Sequence, residues 1–589
     1  MKRMMMVLLC ICILSGGLCH TAPAETAAPE ILTAGDYEYV LLPDGTAEIL
    51  KYYGHERELV IPSVLNGAKV TSLGDESFVI SSPISVSIPD GVTSIGNSAF
   101  WLSLGLTTIH LPDSLLSIGN YAFESCPLTS VFIPDSVISV GLNPFLGCDR
   151  LTEIVVSPDH PLLEINDGVL FSKKDKRLIW YPLSRTDSEY AIPQGTTSIG
   201  ESAFTYCKSL SSVIIPDSIT SIEYNPFQRC DNLTDVVVSP DHPALEIIDG
   251  VLFSKKDKRL IWYPPFKDDS EYVIPQGTVS IGGGAFYECG NLTSVVIPDG
   301  IASIGNEAFY GCENLDVIII PDSVEQIGDK AFGHCHSLTA ITLSKNLSSI
   351  GDDAFTSCLS LSEVAIPEGV VSIGNSSFYS CASLTSITIP DSVISIGTNP
   401  FQGCRSLTEI SVSPDHPVLE TINGVLFDKT DRRLIWYPIP RSSKEYAIPQ
   451  GTRSIGDAAF YWCENLTAVT FPDSLIKIGD HAFDFCTNLT SVKIPESVSS
   501  IEDCAFVRCG LPAVIIPNGV ATIGSAAFGF CYDLTDISIS ATVTSIRKDA
   551  FEESRYVTFT VPRDSYAAQY CQDNDLNYTY PDSLDWLNQ

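Results

Sequence analysis

Positive charge is scarce in this chain. Its 34 Lys and Arg stand against 71 Asp and Glu, a formal charge of −37 with His neutral. A phosphate backbone or an anionic lipid surface needs a basic patch, so this balance argues against both as partners. Long apolar runs are also scarce, and the one that exists lies at the N-terminus. Lys2 and Arg3 precede an apolar stretch from Met4 to Leu18, and Ala22-Pro23-Ala24 follows. The stretch is 15 residues long. A spanning helix needs about 20, and the A-x-A pattern marks a cleavage site. Residues 1–24 are therefore expected to be a signal peptide, leaving an exported chain with no membrane span and no visible anchor. Gly16-Gly17-Leu18 ahead of Cys19 puts the leucine in the wrong place for a lipobox. Catalytic signatures are missing as well: no H-E-x-x-H, G-x-S-x-G, P-loop or C-x-x-C pattern occurs. The expectation is a non-enzyme without cofactors.

What is present is a period. Phe recurs at 78, 100, 123 and 145 and onward to 551, mostly 22 or 23 residues apart, with three gaps of 59. The consensus unit is L-T-x-V-x-I-P-D-S-V-x-S-I-G-x-x-A-F-x-x-C, a leucine-rich solenoid signature. In one unit, Leu292, Val295 and Ile297 alternate inward while Ser294 and Val296 point outward, which predicts a strand. Pro298-Asp299 ends it, and Ile301 and Ile304 form a second short apolar stretch closed by Gly305. Asn306 then stands where a helix N-cap belongs, which predicts a short helical turn with Phe309 and Cys312 on its inner side.

Each long gap holds an insertion of 36 residues, near 159–194, 241–276 and 415–450, following an Asn-Pro-Phe variant of the unit. Val169 to Tyr181 reads as a β-hairpin on a polar turn. Residues 33–75 alternate like an N-terminal β cap, with turns at Asp44-Gly45 and Asn66-Gly67. The array is expected over 76–554. Residues 555–589 form a C-terminal cap and tail, with a helix around 562–571 entering on Asp or Ser.

These units, together with the D-Y-E-Y opening, the V-L-F…L-I-W-Y-P insertions and the S-Y-A-A-Q-Y ending, resemble the BspA-like leucine-rich repeat family of bacterial surface and secreted proteins. The resemblance covers nearly all of the expected mature chain. It implies a right-handed, β-rich α/β solenoid and, for some members, adhesion to host matrix proteins or other cells.

Five sets of residues stand out. Of the 19 Cys, 14 follow the Phe marker by three positions. Stacked side by side, as in Phe286/Cys289, Phe309/Cys312, Phe332/Cys335, Phe355/Cys358 and Phe378/Cys381, they predict a core ladder of free thiols, since disulfides need Cβ atoms turned towards each other. Ser81, Ser103 and Ser554 replace Cys near the ends, which suggests that small size is the shared requirement. Cys504 and Cys509 form a local pair off the pattern, and Cys571 stands alone. His160, His242 and His416 recur in S-P-D-H-P as turn residues, and His334-x-His336 lacks a third metal ligand. An exposed Asp ridge (Asp90, Asp113, Asp135, Asp217, Asp299, Asp322, Asp391, Asp473) fits turn chemistry better than weak Ca²⁺ binding. The outward strand positions, among them Val296, Ile319, Thr388 and Ile515, form a flat, weakly apolar face. The pairs Trp180-Tyr181, Trp262-Tyr263 and Trp436-Tyr437 are candidate anchors, with alternation placing one ring inward and leaving the other for the surface.

The reading is a secreted adhesin-type module that contacts an extracellular protein or glycan through the strand face and insertion hairpins. The alternative is a self-associating scaffold.

Overall fold

The computed structural model describes residues 31–222 and 224–581; the expected signal peptide lies outside them. The chain divides into two units, Met1–Phe266 and Lys267–Gln589, and each is a β-solenoid of stacked coils.

The coil's long strand follows the inward–outward alternation. Ser294–Val296 pairs in parallel with its neighbours one coil away, Ser294 opposite Val317, and Val317–Ile319 then lies opposite Ala340–Thr342. The second apolar stretch is a two-residue parallel strand, Ser303–Ile304, opposite Gln326–Ile327. Gly328 follows because a Cβ there would come within 2.4 Å of Asn306 Oδ1 in the preceding coil.

The expected short helix does not form. Between Asn306 and Cys312 the backbone makes successive turns, with Glu307 and Gly311 at φ of 55° and 71°. The N–H groups of Glu307, Phe309 and Gly311 donate to the carbonyls of Asp329, Ala331 and Gly333 in the next coil at 2.7–2.8 Å. Those of Ala308, Tyr310 and Cys312 go back three residues within the coil. Alternate amides thus serve the stack, and none is left for an i−4 ladder. Asn306 is not an N-cap either: its Oδ1 accepts the Asp329 N–H one coil on, Asp329 does the same for Asp352, and Asp352 for Asn375. A ladder of Asn and Asp side chains therefore runs along the stack.

In each insertion three antiparallel strands form, one more than the expected hairpin. Leu163–Asn166 pairs with Val169–Ser172, which pairs with Arg177–Trp180 across a bulge. The tight turn Asp167-Gly168, with both φ positive, suits a two-residue hairpin. At the N-terminal end, Tyr37–Leu41 and Ala47–Tyr52 pair antiparallel. Parallel coil pairing already occurs inside the expected cap, where Ala47–Tyr52 lies parallel to Ala68–Leu73 and Glu58–Val60 to Ser85–Ser87. At the C-terminal end, helix Tyr566–Asp573 starts on Ser565, whose Oγ accepts from the Ala568 N–H, and buries Ala567, Ala568, Tyr570 and Cys571.

The core is a column of rings. Phe286, Phe309 and Phe332 stack at 4.8 and 5.1 Å with planes 5° and 4° apart. Such stacked pairs contribute roughly 0.5–1.5 kcal/mol each beyond burial.

Candidate binding surfaces

All 16 described cysteines are free, and 15 of them are buried. The ladder residues Cys289, Cys312, Cys335, Cys358 and Cys381 and their Phe partners are buried in the column. Cys and Ser share more than small size there. The Cys312 Sγ donates to the Phe286 carbonyl at 3.1 Å, Cys335 to Phe309 at 3.2 Å, and the pattern continues along the stack. Ser103 and Ser554 make the same bond to Phe78 and Phe528. The position requires a small donor. Burial pushes the Cys358 and Cys404 thiols up to about 12. Cys509 belongs to this ladder, its Sγ donating to Phe483 at 3.2 Å, so it is not paired with Cys504.

The three histidines are structural brackets. His160 Nε2 donates to the Pro134 carbonyl at 3.0 Å, and its Nδ1 accepts from the Leu162 and Leu163 amides, both at 3.1 Å. That pattern requires the neutral ring, and burial holds its pKa below the usual value. His242 and His416 repeat the arrangement on Pro216 and Pro390.

The Trp-Tyr pairs correct the expectation that one ring of each is exposed. Trp180, Trp262, Trp436, Tyr181, Tyr263 and Tyr437 are each no more than 2% exposed. Alternation does send the two rings of a pair to opposite sides, but both sides are core. Trp180 closes the cluster before the insertion, edge-on to Phe145 at 6.2 Å, and Tyr181 opens the next against Phe204 at 5.1 Å. The rings join two stretches of column and present nothing to a partner.

The strand face is exposed. Val273, Val296, Val317 and Ile319 are 64%, 52%, 47% and 64% accessible. Val273 lies opposite Val296, and the pairing of Ser294 with Val317 brings Ile319 level with Val296, so the three form a row with Val317 two residues along on the same outer face. Thr388 is exposed further along the same unit, and Ile515, 71% accessible, lies opposite Ser538. In the other unit Phe132 and Val155, paired across strands, are exposed too. The ridge residues from Asp90 to Asp473 are exposed, and Asp322 accepts both the backbone N–H and the Nζ of Lys345. Among the described residues, no group of three or more His, Cys, Asp or Glu side chains is placed to hold a metal ion, and no helix is long and apolar enough to cross a membrane.

Two features escaped the sequence reading. On the turn side, Arg405 lies over the Trp462 ring at 4.1 Å, Trp462 packs on Phe485 at 5.3 Å, and Arg508 lies over Phe485 at 4.4 Å and Phe530 at 5.4 Å. Beside this ridge stand His481 and Asp484, hydrogen-bonded at 2.9 Å. The 23-residue register was the available signal, since Trp462, Phe485 and Arg508 occupy one position of successive coils.

The BspA type leucine rich repeat region, in six copies, matches residues 71–178, 185–259, 269–381, 325–443 and 453–575. No curated protein matches the chain. Among solved structures, a leucine rich cell surface protein from Faecalibacterium prausnitzii A2-165 is similar at 23% identity and a TM-score of 0.38, covering 92% of this chain and 97% of that one. The pneumococcal vaccine antigen PcpA is similar at 19% identity and a TM-score of 0.39, over 71% and 98% of the two chains. A leucine-rich repeat protein from Bacteroides ovatus ATCC 8483 is similar at 26% identity and a TM-score of 0.28, over 66% and 94%. With repeats of this type running through both units, the chain belongs to the BspA-type leucine-rich repeat family.

Proposed function

We propose that this chain is an exported binding protein of adhesin type, and that its partner is an extracellular protein laid against the outer face of the long parallel strands. The observation that carries this reading is the aliphatic row Val273, Val296 and Ile319 with Val317 beside it, left uncovered on a regular sheet. Apolar side chains gathered on an exposed face favour burial against a partner. A protein fits better than a glycan. Sugar recognition favours exposed aromatic faces, and the insertion rings that would have supplied them are interior. The row is bordered by exposed Glu271, Asp316 and Glu363, so the partner should carry an apolar centre with basic residues around it.

The test is to immobilise residues 25–589 and screen extracellular matrix proteins, mucins and glycans. The expected result is a protein partner bound at micromolar concentration or tighter, with I319E weakening it by about tenfold or more through the charge buried at the contact. Unfolding of I319E should match the parent, because the side chain is exposed. No binding at micromolar concentration, with concentration-dependent self-assembly instead, would favour a scaffold. A partner that binds I319E as tightly as the parent would remove the strand face from the account.

A further inference from the structure

Each insertion ends in a loop that lays a cation over tyrosine rings. In the first, the Arg185 guanidinium lies 5.4 Å from the Tyr181 ring and 5.7 Å from the Tyr190 ring. In the third, Arg441 lies 5.6 and 5.7 Å from Tyr437 and Tyr446. Each Nη1 also donates to a carbonyl in the hairpin turn, that of Asp167 or of Asn423. Ring faces and one carbonyl therefore hold the two guanidiniums alike. Their charges are not met alike. Arg185 Nε donates to Asp187 Oδ2 at 2.7 Å, and its Nη1 to Asp167 Oδ2 at 3.0 Å. In the second insertion Lys267 pairs with Asp269 at 2.6 Å. In the third, the positions of Asp167 and Asp187 hold Asn423 and Ser443. Among the described residues Arg441 enters no ion pair, and the Asn423 carbonyl is the one acceptor of its guanidinium. The phenols beneath do not neutralise it. Both hydroxyls are buried without a hydrogen-bond partner, and burial raises both pKa values, that of Tyr446 to about 12, so both stay protonated.

We propose that Arg441 is a recognition site for a carboxylate supplied by a partner, and that the ligand is a short acidic peptide segment. The occupied state is on view in the first insertion, where aspartate side chains take the same guanidinium through Nε and Nη1. A ligand Asp or Glu fills the places that Asp167 and Asp187 fill there. Planar, charge-assisted pairing of this kind is what a guanidinium offers a carboxylate, and it is why a side-chain carboxylate reproduces the arrangement. The ring faces hold the guanidinium in place beforehand, so little freedom is lost when the ligand arrives. Lys444, exposed, stands where the first insertion has Ser188 and adds a second cation to the same loop. At about 0.15 M salt the chain's negative charge is screened beyond about 8 Å, so it does not repel a short acidic segment from this loop. The site lies off the aliphatic row, so either reading can fail without the other.

The test is timed modification of native residues 25–589 with phenylglyoxal, a guanidinium reagent, read peptide by peptide with and without an acetylated tetra-aspartate peptide. Arg441 should react about tenfold faster than Arg185, whose guanidinium is already paired. The acidic peptide at millimolar concentration should slow Arg441 and leave exposed Arg150 unchanged. S443D, which restores the acid of the first insertion, should bring Arg441 down to the rate of Arg185 and abolish protection by the peptide. D167N combined with D187S should do the reverse, making Arg185 reactive and giving it the same protection. All three substituted positions are exposed, so the coils remain. I319E should be protected like the parent, which separates this site from the strand face. Equal protection of Arg150 and Arg441, no protection of Arg441, an S443D that reacts like the parent, or protection by hyaluronate where the peptide gives none would overturn the proposal.

Discussion

An ordinary junction between coils and a junction at an insertion solve the same packing problem with different residues. Between ordinary coils Phe309 and Phe332 stack at 5.1 Å, and Cys335 donates to the Phe309 carbonyl. Across the third insertion Phe401 meets Trp436 edge-on at 6.4 Å and 75°, and Tyr437 opens a new stack with Phe460 at 4.9 Å. The polar bonds span more of the sequence too: Asn399 Nδ2 reaches the Ala458 carbonyl, 59 residues on, and His416 ties the Pro390 carbonyl to two amides. Where the neighbour is identical, small repeated letters suffice. Where the identical neighbour is missing, large rings and longer polar side chains replace it. The residues that most resemble binding anchors in the sequence are therefore the ones that repair the core.

The two kinds of junction should fail differently, and the largest difference is in alkali. Thiols held up to about 12 by burial, as at Cys358 and Cys404, stay protonated in the folded chain while the unfolded chain ionises from its ordinary 9.0. Stability should be full below pH 9 and fall as pH rises towards 12, by about 1 kcal/mol per such thiol near pH 10. Urea unfolding across pH checks this, and stability that is flat from pH 8 to pH 11 would break the ordinary-junction half of the comparison.

Trp436→Ala comes next, at about 3–5 kcal/mol, because it leaves a void between two stretches of column. Trp436→Phe should cost much less, since the indole N–H has no hydrogen-bond partner to lose. The same urea titration distinguishes them, and equal costs would mean that the N–H, rather than the ring, holds the joint. His416→Ala leaves the Pro390 carbonyl and two amides without their side-chain partner, for roughly 2–3 kcal/mol.

Cys312→Ala should cost about 1 kcal/mol more than Cys289→Ala. Cys312 donates at 3.1 Å to Phe286, whereas Cys289, first after an insertion, has only a 3.9 Å contact with Tyr287. Cys312→Ser should recover most of the difference, as Ser103 already does in place. The smallest effect is in acid. Burial holds His160 and His416 below their ordinary 6.5, so the unfolded chain takes up protons first. Stability should decline as pH falls below about 6.5, and H416A should lose part of that dependence.

Much of this was legible in the sequence. Alternation at Leu292, Val295 and Ile297, with Pro298 after it, identifies the strand and its inner face without any neighbour. Spacing of three between Phe309 and Cys312 could not separate a helical turn from consecutive tight turns, because both put the pair on one side. What decides is where the amides of Glu307 and Phe309 find acceptors, and those lie 22 residues away. Alternation at Trp180-Tyr181 correctly opposed the two rings, but whether the second side is solvent or core depends on the coil that follows. The Asn and Asp ladder and the stack of Trp462, Phe485 and Arg508 were visible as period-matched letters. Their meaning required knowing that equivalent positions touch.

The account rests on the recurrent Phe and Cys being interior and on Cys504 being the exception. Timed alkylation of native protein with iodoacetamide, read peptide by peptide, tests that directly. The account predicts early labelling of Cys504, with Cys126, Cys312, Cys335 and the other described thiols protected until denaturant unfolds the coils. Labelling of Cys312 or Cys335 at the rate of Cys504 in native protein would contradict it.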